Sequence, residues 1–189
     1  MPRAARIAFA VAFLFSTGLL ATSVQKFSLR ELASHSKSVV VARVQSSESR
    51  WDGGEIYTYT TIQVSEGLKG ARKGQSIVVR QLGGQVGDLA SIVPGMPAFE
   101  RGQEVVLFLS ANDKAGYPWV VGLQQGKYTI SSDAQGKKRV RRDTSELNLV
   151  NRGEQGGAML EDAPLDMFLN EVRTELGIPV TAVPSEGVR

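Results

Sequence analysis

Apolar and β-branched side chains alternate with polar ones through residues 56–70, IYTYTTIQVSEGLKG, and the alternation ends at a Gly-Leu-Lys-Gly turn. Successive side chains of a strand point to opposite faces, so the two alternating sets would lie on opposite sides of a sheet. The pattern predicts a half-buried strand with Tyr57 and Tyr59 on its outer face.

Strand patterns on both sides of this segment predict its neighbours. Residues 38–50 precede it, and the Asp-Gly in the turn at residues 51–54 is a strong hairpin signal because both central positions of a type I′ turn need positive φ. Residues 105–109 are apolar on both faces, which places their strand in the middle of a sheet. Later strand patterns occupy residues 75–81, 103–110, 119–123, 127–131 and 138–142. Together they predict a small antiparallel β domain.

Two helices are expected beside the strands. Ser28 and Glu31 fit a capping box, which predicts a short helix to about Ser34. Residues 164–177 predict an amphipathic helix that packs on the β domain. Its apolar stripe consists of Leu165, Phe168, Leu169, Val172 and Leu176.

Residues 1–23 are typical of a signal peptide, because Arg3 and Arg6 precede an uncharged run over residues 7–20 and small residues follow it. An uncleaved membrane anchor is the alternative, but this run is shorter than the roughly 20 residues of a spanning helix. We therefore expect a periplasmic or secreted protein with no transmembrane segment after signal cleavage. The expected organisation is a signal peptide at 1–23, a β domain at 24–145, a linker at 146–163, the C-terminal helix at 164–177 and a flexible tail at 178–189.

Composition narrows the possible chemistry. The chain has no cysteine, which excludes disulfides, thiolate nucleophiles and Cys-ligated zinc. His35 is the only histidine, so neither a histidine metal site nor a Ser-His pair is indicated, and there is no G-x-S-x-G motif. Two of the 22 basic residues belong to the signal peptide and 19 residues are acidic, so the mature chain would be nearly neutral. We expect no catalytic residue, no cofactor and no metal.

Two further motifs have competing interpretations. Gly83, Gly84 and Gly87 do not have the spacing of a phosphate-binding loop, and they favour a bend or bulge at the end of a strand. The basic run at residues 137–142 favours a solvated edge strand. Binding of an anionic envelope polymer or a membrane surface is the alternative for that run.

The connection over residues 83–101 is the predicted contact site. Its 19 residues exceed the roughly 12 to 15 beyond which an unstructured loop inside a domain usually has a function or is disordered. Its apolar content argues against a solvated linker. We expect it to fold back over one end of the domain and to offer a patch to a partner. The predicted partner-binding residues are Met96 and Phe99, with Arg80, Gln85 and Arg101 at the rim. The alternative is a loop that merely plugs the domain.

Three stretches carry a family resemblance: HSKSVVVARVQ at 35–45, YTYTTIQVSEGLKG at 57–70 and GQEVVLFL at 102–109. They resemble the N-terminal domain of tissue inhibitors of metalloproteinases and other netrin-like modules. In those inhibitors an N-terminal cysteine chelates the protease zinc, and this chain has none, so the inhibitory mechanism is not implied. The segments RWDGGEIYTYT, VPGMPAFERGQEVVLFL and VVGLQQGKY also resemble uncharacterised exported bacterial proteins.

The netrin-like resemblance implies an OB-like barrel with a helix packed on it. With the strand patterns above, the expected fold is mainly β: an OB-like antiparallel β-barrel of five to seven strands with a short N-terminal helix and a C-terminal amphipathic helix. OB barrels bind oligonucleotides, oligosaccharides or proteins, and the fold alone does not choose among them.

The expected function is a non-catalytic exported binding module for a protein partner. The export signal argues against a nucleic acid as the partner. The alternatives are a hydrolase or metal-dependent enzyme with an unrecognised site, and a structural envelope protein.

Overall fold

The computed structural model describes residues 23–142, 144, 147–150 and 162–179. Except for Ser23, the predicted signal peptide lies outside the described residues, and so do most of the predicted linker and of the predicted C-terminal tail. Within the described ranges, no helix is both long enough and apolar enough to cross a membrane.

The described chain is mainly β, as predicted. Its helices are α1 (Leu29–His35) and α2 (Leu165–Glu175), and a 3₁₀ helix spans Leu123–Gly126. Its strands are β1 (Ser23–Gln25), β2 (Ser38–Asp52), β3 (Glu55–Lys69), β4 (Ser76–Leu82), β5 (Gly84–Val86), β6 (Leu89–Ser91), β7 (Glu104–Leu109), β8 (Lys127–Ser132), β9 (Lys138–Arg141), β10 (Asn148–Val150) and β11 (Asp162–Pro164).

Seven strands form one antiparallel sheet in the order β11-β9-β8-β7-β2-β3-β4. The central strand is β7, which confirms the prediction from its apolar residues on both faces. The predicted β2–β3 hairpin is present, but its turn lies one residue later than the Asp-Gly signal indicated: Gly53 and Gly54, with φ angles of 60° and 87°, are the central positions, and Asp52 pairs with Glu55 at the end of the strands. Two small sheets pair β1 with β10 and β5 with β6.

The predicted closed barrel is not found, and an OB-like fold is not confirmed. Within the described residues β11 and β4 are the two edges of the large sheet, and they do not pair with each other. One backbone hydrogen bond links β4 to the chain that follows β7: the Arg80 N–H donates to the Pro118 carbonyl at 2.9 Å. The barrel was predicted from strand patterns, which do not report whether the outermost strands pair.

Two other predictions about secondary structure were wrong. Residues 119–123 do not form a strand, because Val120 makes a single bridge to Leu109 and Gly122, with φ 70°, then turns the chain into the 3₁₀ helix. The connection at residues 83–101 contains the β5–β6 hairpin, although its sequence was expected to be neither helix nor strand.

The core lies on both faces of the sheet. On one face, Val106 and Phe108 of β7 pack with α1 and α2, and on the other face Val105 and Leu107 pack with residues of β2, β3 and β4. The predicted docking of the C-terminal helix is confirmed, because Phe168 is fully buried and its ring centroid lies 4.4 Å from that of Tyr128. Burying a side chain of this size stabilises the fold by roughly 1.5 to 3 kcal/mol.

Candidate functional site

The five residues of the predicted contact patch lie in different surroundings. Gln85, on β5, and Arg101, in the turn before β7, are exposed, whereas Met96 is half-buried. Phe99 packs against the core on the β4 side of the sheet, and Arg80 is held by ion pairs. No described hydrogen bond, ion pair or ring contact joins any two of the five, so the patch remains a prediction.

The connection at residues 83–101 is held against the sheet. The Gly83 N–H donates to the Ile56 carbonyl at 2.8 Å, and the Thr58 hydroxyl donates to the Gly83 carbonyl at 2.7 Å. Farther along, the Gln81 side-chain amide donates to the Pro97 carbonyl at 3.2 Å. The connection is therefore held against the domain at both ends, but the apolar side chains of Leu89 and Ile92 between them are 60% and 87% exposed, so a fold over one end of the domain stays a prediction.

A cleft of about 520 Å³ lies at the open edge of the sheet. One wall is the start of β4, from Ser76 to Val78, and the other consists of residues 109–112 and 116–118. Lys37 and Ser38 line it where β2 begins. The volume is within the range of about 300 to 1,000 Å³ that is common for ligand sites.

The backbone of β4 offers unpaired groups to this cleft. Arg80 donates to Pro118, away from β3, and alternate residues of an antiparallel strand direct their backbone groups to the same side. The N–H and C=O of Ser76 and Val78 therefore point toward the cleft. The carbonyl of Gln75, an odd-numbered residue, accepts from the Val64 N–H of β3, which agrees with the even-numbered residues facing the cleft. No strand in the described ranges pairs with this side of β4.

The opposite edge of the sheet, formed by β11, is poorly suited to pairing with another strand. The strand β11 has three residues and ends at Pro164, which lacks an N–H to offer. An ion pair of 2.7 Å between Arg139 and Asp162 also lies at this edge. Natural sheets use short strands, proline and charges at edges to prevent unwanted strand pairing. The contrast singles out β4 as the edge that remains available for pairing.

A group of charged and aromatic side chains holds the loop that forms the second wall. The Arg80 guanidinium contacts the Asp52 carboxylate at 2.9 Å and the Asp113 carboxylate at 3.0 Å. Asp113 belongs to the loop, so the second ion pair fastens the loop to β4. We call the group the arginine–tyrosine cluster. Its members are Arg50, Asp52, Tyr57, Tyr59, Arg80, Asp113 and Tyr117.

Aromatic contacts complete the arginine–tyrosine cluster. The Arg80 guanidinium lies 3.6 Å from the centroid of the Tyr57 ring, and Tyr59 meets Tyr117 edge to face at 5.3 Å. The Tyr59 hydroxyl donates to Asp52 at 2.5 Å. Because Tyr117 also lines the cleft, the outer face of β3 positions one wall of the cleft.

The carboxylates of the cluster are held in their ionised form. The Tyr59 hydroxyl, followed by Arg80, lowers the pKa of Asp52. The backbone N–H of Tyr117 has the largest effect in lowering the pKa of Asp113, and Arg80 adds to it. Burial by itself would lower the pKa of Arg80, but the hydrogen bond to Asp113 contributes to a raised value. These groups therefore stay charged at neutral pH, which suits an anchoring role rather than proton transfer.

Part of this site was predictable from the sequence. The outer-face position of Tyr57 and Tyr59 was predicted from alternation, and Arg80 was named for a different reason. Asp52, Asp113 and Tyr117 were not singled out as a group, because they come from separate parts of the chain and meet only in the fold. Within the described residues, no group of three or more His, Asp or Glu residues could hold a metal ion.

No protein-family model, curated protein or solved structure matches this chain. The netrin-like resemblance is therefore neither confirmed nor refuted, and the function has to be argued from the cleft itself.

Proposed function

We propose that this protein is a non-catalytic exported binding module that takes an extended segment of a protein partner along the open edge of β4. The observation that carries the proposal is the pair of unpaired edge residues, Ser76 and Val78, that face a cleft of about 520 Å³. An extended peptide placed there would continue the sheet, because main-chain groups of the added strand satisfy those of the edge.

The dimensions of the edge suit a short strand. Residues 76–78 span roughly 10 Å at about 3.3 Å per residue, and a paired strand would lie about 4.8 Å away. The hydrogen bond from the Arg80 N–H to the Pro118 carbonyl joins the two walls of the cleft at one end. A bound peptide could therefore not extend past Arg80 along β4.

An exposed aromatic residue that follows a cleft residue in the chain supports binding of a protein. Trp119 follows Pro118, a cleft residue, and 48% of its surface is exposed. Aromatic side chains are enriched at protein interfaces because they bury a large apolar area, and tryptophan is frequent among the residues that dominate binding energy.

The proposal also includes export of the protein and a fold related to the OB barrel. The uncharged run at residues 7–20 after two arginines supports periplasmic or secreted localisation. The long β2–β3 hairpin and the link between β4 and the chain after β7 support an open relative of an OB-like barrel.

Two variants of one edge residue test the proposal. Val78→Pro removes the edge N–H that would donate to the peptide and leaves the hydrogen bonds to β3 in place. Val78→Ala retains that N–H and is the matched control. The probe is a fluorescently labelled, acetylated and amidated heptapeptide of alternating valine and threonine with threonine at its centre, and binding is measured by anisotropy. We expect Val78→Pro to weaken binding about tenfold or more, and Val78→Ala to change it less than threefold.

A second measurement does not depend on the stability of the proline variant. In spectra of the unmodified protein, the amide resonances of Ser76 and Val78 should shift on peptide addition more than those of Ile77, which faces β3. Equal binding by both Val78 variants, or no binding at millimolar peptide, would overturn the proposal.

A further inference from the structure

We infer that the segment bound at this edge is anionic, with an aspartate or glutamate carboxylate placed against Lys37. This inference rests on the proposed function and specifies the chemistry of its ligand. A peptide supplies two things that the cleft lacks: main-chain partners for β4 and negative charge for the lysine.

The residues that line the cleft include a positive charge and no negative charge. Lys37 is exposed among the lining residues, and none of the lining residues is acidic. The nearest carboxylate in the loop, that of Asp113, is already compensated. One of its oxygens accepts from the backbone N–H groups of Ala115 and Tyr117, and the other contacts Arg80 at 3.0 Å.

Further cations flank the cleft without a described ion pair. Arg72 and Lys73 lie in the turn that leads into β4, and Lys114 lies in the loop between the lining residues Asn112 and Gly116. All three are exposed, and neither they nor Lys37 form a salt bridge within the described part of the chain. Arg43, by contrast, is paired with Glu104 on the same sheet. The positive charge around the cleft is therefore available to a ligand.

A neutral donor lies on the same wall. Asn112 lines the cleft, is exposed and has no described hydrogen-bond partner, so its amide could donate to a carboxylate. An anionic polysaccharide would also be attracted by these charges, but it has no main chain whose alternating N–H and C=O groups could pair with those of Ser76 and Val78. The unpaired backbone therefore favours an acidic peptide.

The test varies one position of the heptapeptide and one residue of the protein. The central threonine is replaced by glutamate or glutamine, and binding is measured in 50 mM and 500 mM NaCl. One partly exposed ion pair corresponds to a preference of about two- to fivefold for glutamate. The preference should fall at the higher salt concentration because salt screens exposed charges.

Variants of Lys37 assign the preference to this cleft. Lys37→Gln should abolish it, and Lys37→Arg should retain it. Lys137→Gln is the control, since Lys137 is an exposed lysine in the β8–β9 turn and should leave the preference unchanged.

The outcomes separate this inference from the proposal beneath it. If the glutamine peptide binds as well as the glutamate peptide and Val78→Pro weakens both, the anionic ligand is wrong and strand addition stands. If the glutamate peptide binds equally to Val78→Pro and is displaced by heparin, charge alone accounts for binding and both conclusions fail. A preference that survives Lys37→Gln would also overturn the inference.

Discussion

Replacing Phe168 by alanine tests how α2 is joined to the sheet. The side chain is fully buried, and its ring packs on Tyr128 with 4.4 Å between centroids. A phenylalanine-to-alanine change at such a site costs about 3 to 5 kcal/mol, which combines lost transfer free energy with the cavity left behind. For a urea m-value of about 2 kcal/mol per molar, the unfolding midpoint should fall by about 1.5 to 2.5 M.

The matched control is Met167→Ala, one position earlier on the same helix, because 58% of Met167 is exposed. That change should alter the free energy of unfolding by less than about 0.5 kcal/mol. Unfolding is followed by near- and far-ultraviolet circular dichroism. The reasoning is refuted if Phe168→Ala costs less than 1 kcal/mol. It is also refuted if amide exchange accelerates in α2 alone while the midpoint stays constant, since α2 would then open independently of the core.

Three further predictions concern the cleft wall and the connection after β4. Arg80→Gln should speed amide exchange in residues 110–118, because it removes the ion pair that fastens this loop; unchanged exchange would contradict that role. The folded-state pKa values of Asp52 and Asp113 are lowered, so the stability that these carboxylates contribute is present above about pH 4 and is lost as the pH falls further. The melting temperature should therefore drop below about pH 4, and it should drop less steeply in the Asp113→Asn variant than in the unmodified protein. Gly84→Ala should destabilise far more than Gly87→Ala in urea unfolding, because the added methyl would overlap two hydroxyl oxygens at Gly84 and meets open space at Gly87.

Local features of the fold were predictable because their causes lie within a few residues. The Asp-Gly signal predicted the hairpin to within one residue of its turn at Gly53 and Gly54, and alternation predicted the strand that follows. The capping box was recognised from Ser28 and Glu31 alone, and both of its hydrogen bonds are present. Helical spacing likewise identified the stripe of α2 that is buried.

Features that depend on distant contacts were predicted poorly. The β5–β6 hairpin lies in a segment rich in glycine and proline, where single-sequence patterns favour a loop. Residues 119–123 are apolar enough for a strand, yet Val120 pairs with Leu109 at one position before Gly122 redirects the chain. In both cases the deciding interaction is with another part of the chain, which the local pattern does not contain.

The open edge of β4 is the clearest example of a feature that the local sequence pattern does not predict. Alternation of apolar and polar residues indicates which face of a strand is buried. It does not indicate whether both lateral edges are paired, because backbone pairing does not depend on which side chains alternate. The sequence of β4, SIVVRQL, has no proline and no lysine to discourage an added strand, and this matters only once β4 is known to end the sheet. The same strand carries Arg80, whose ion pair with Asp113 holds the facing wall in place. One strand thus supplies both the open edge and the anchor of the cleft beside it, and this combination could be recognised only from the pairing order.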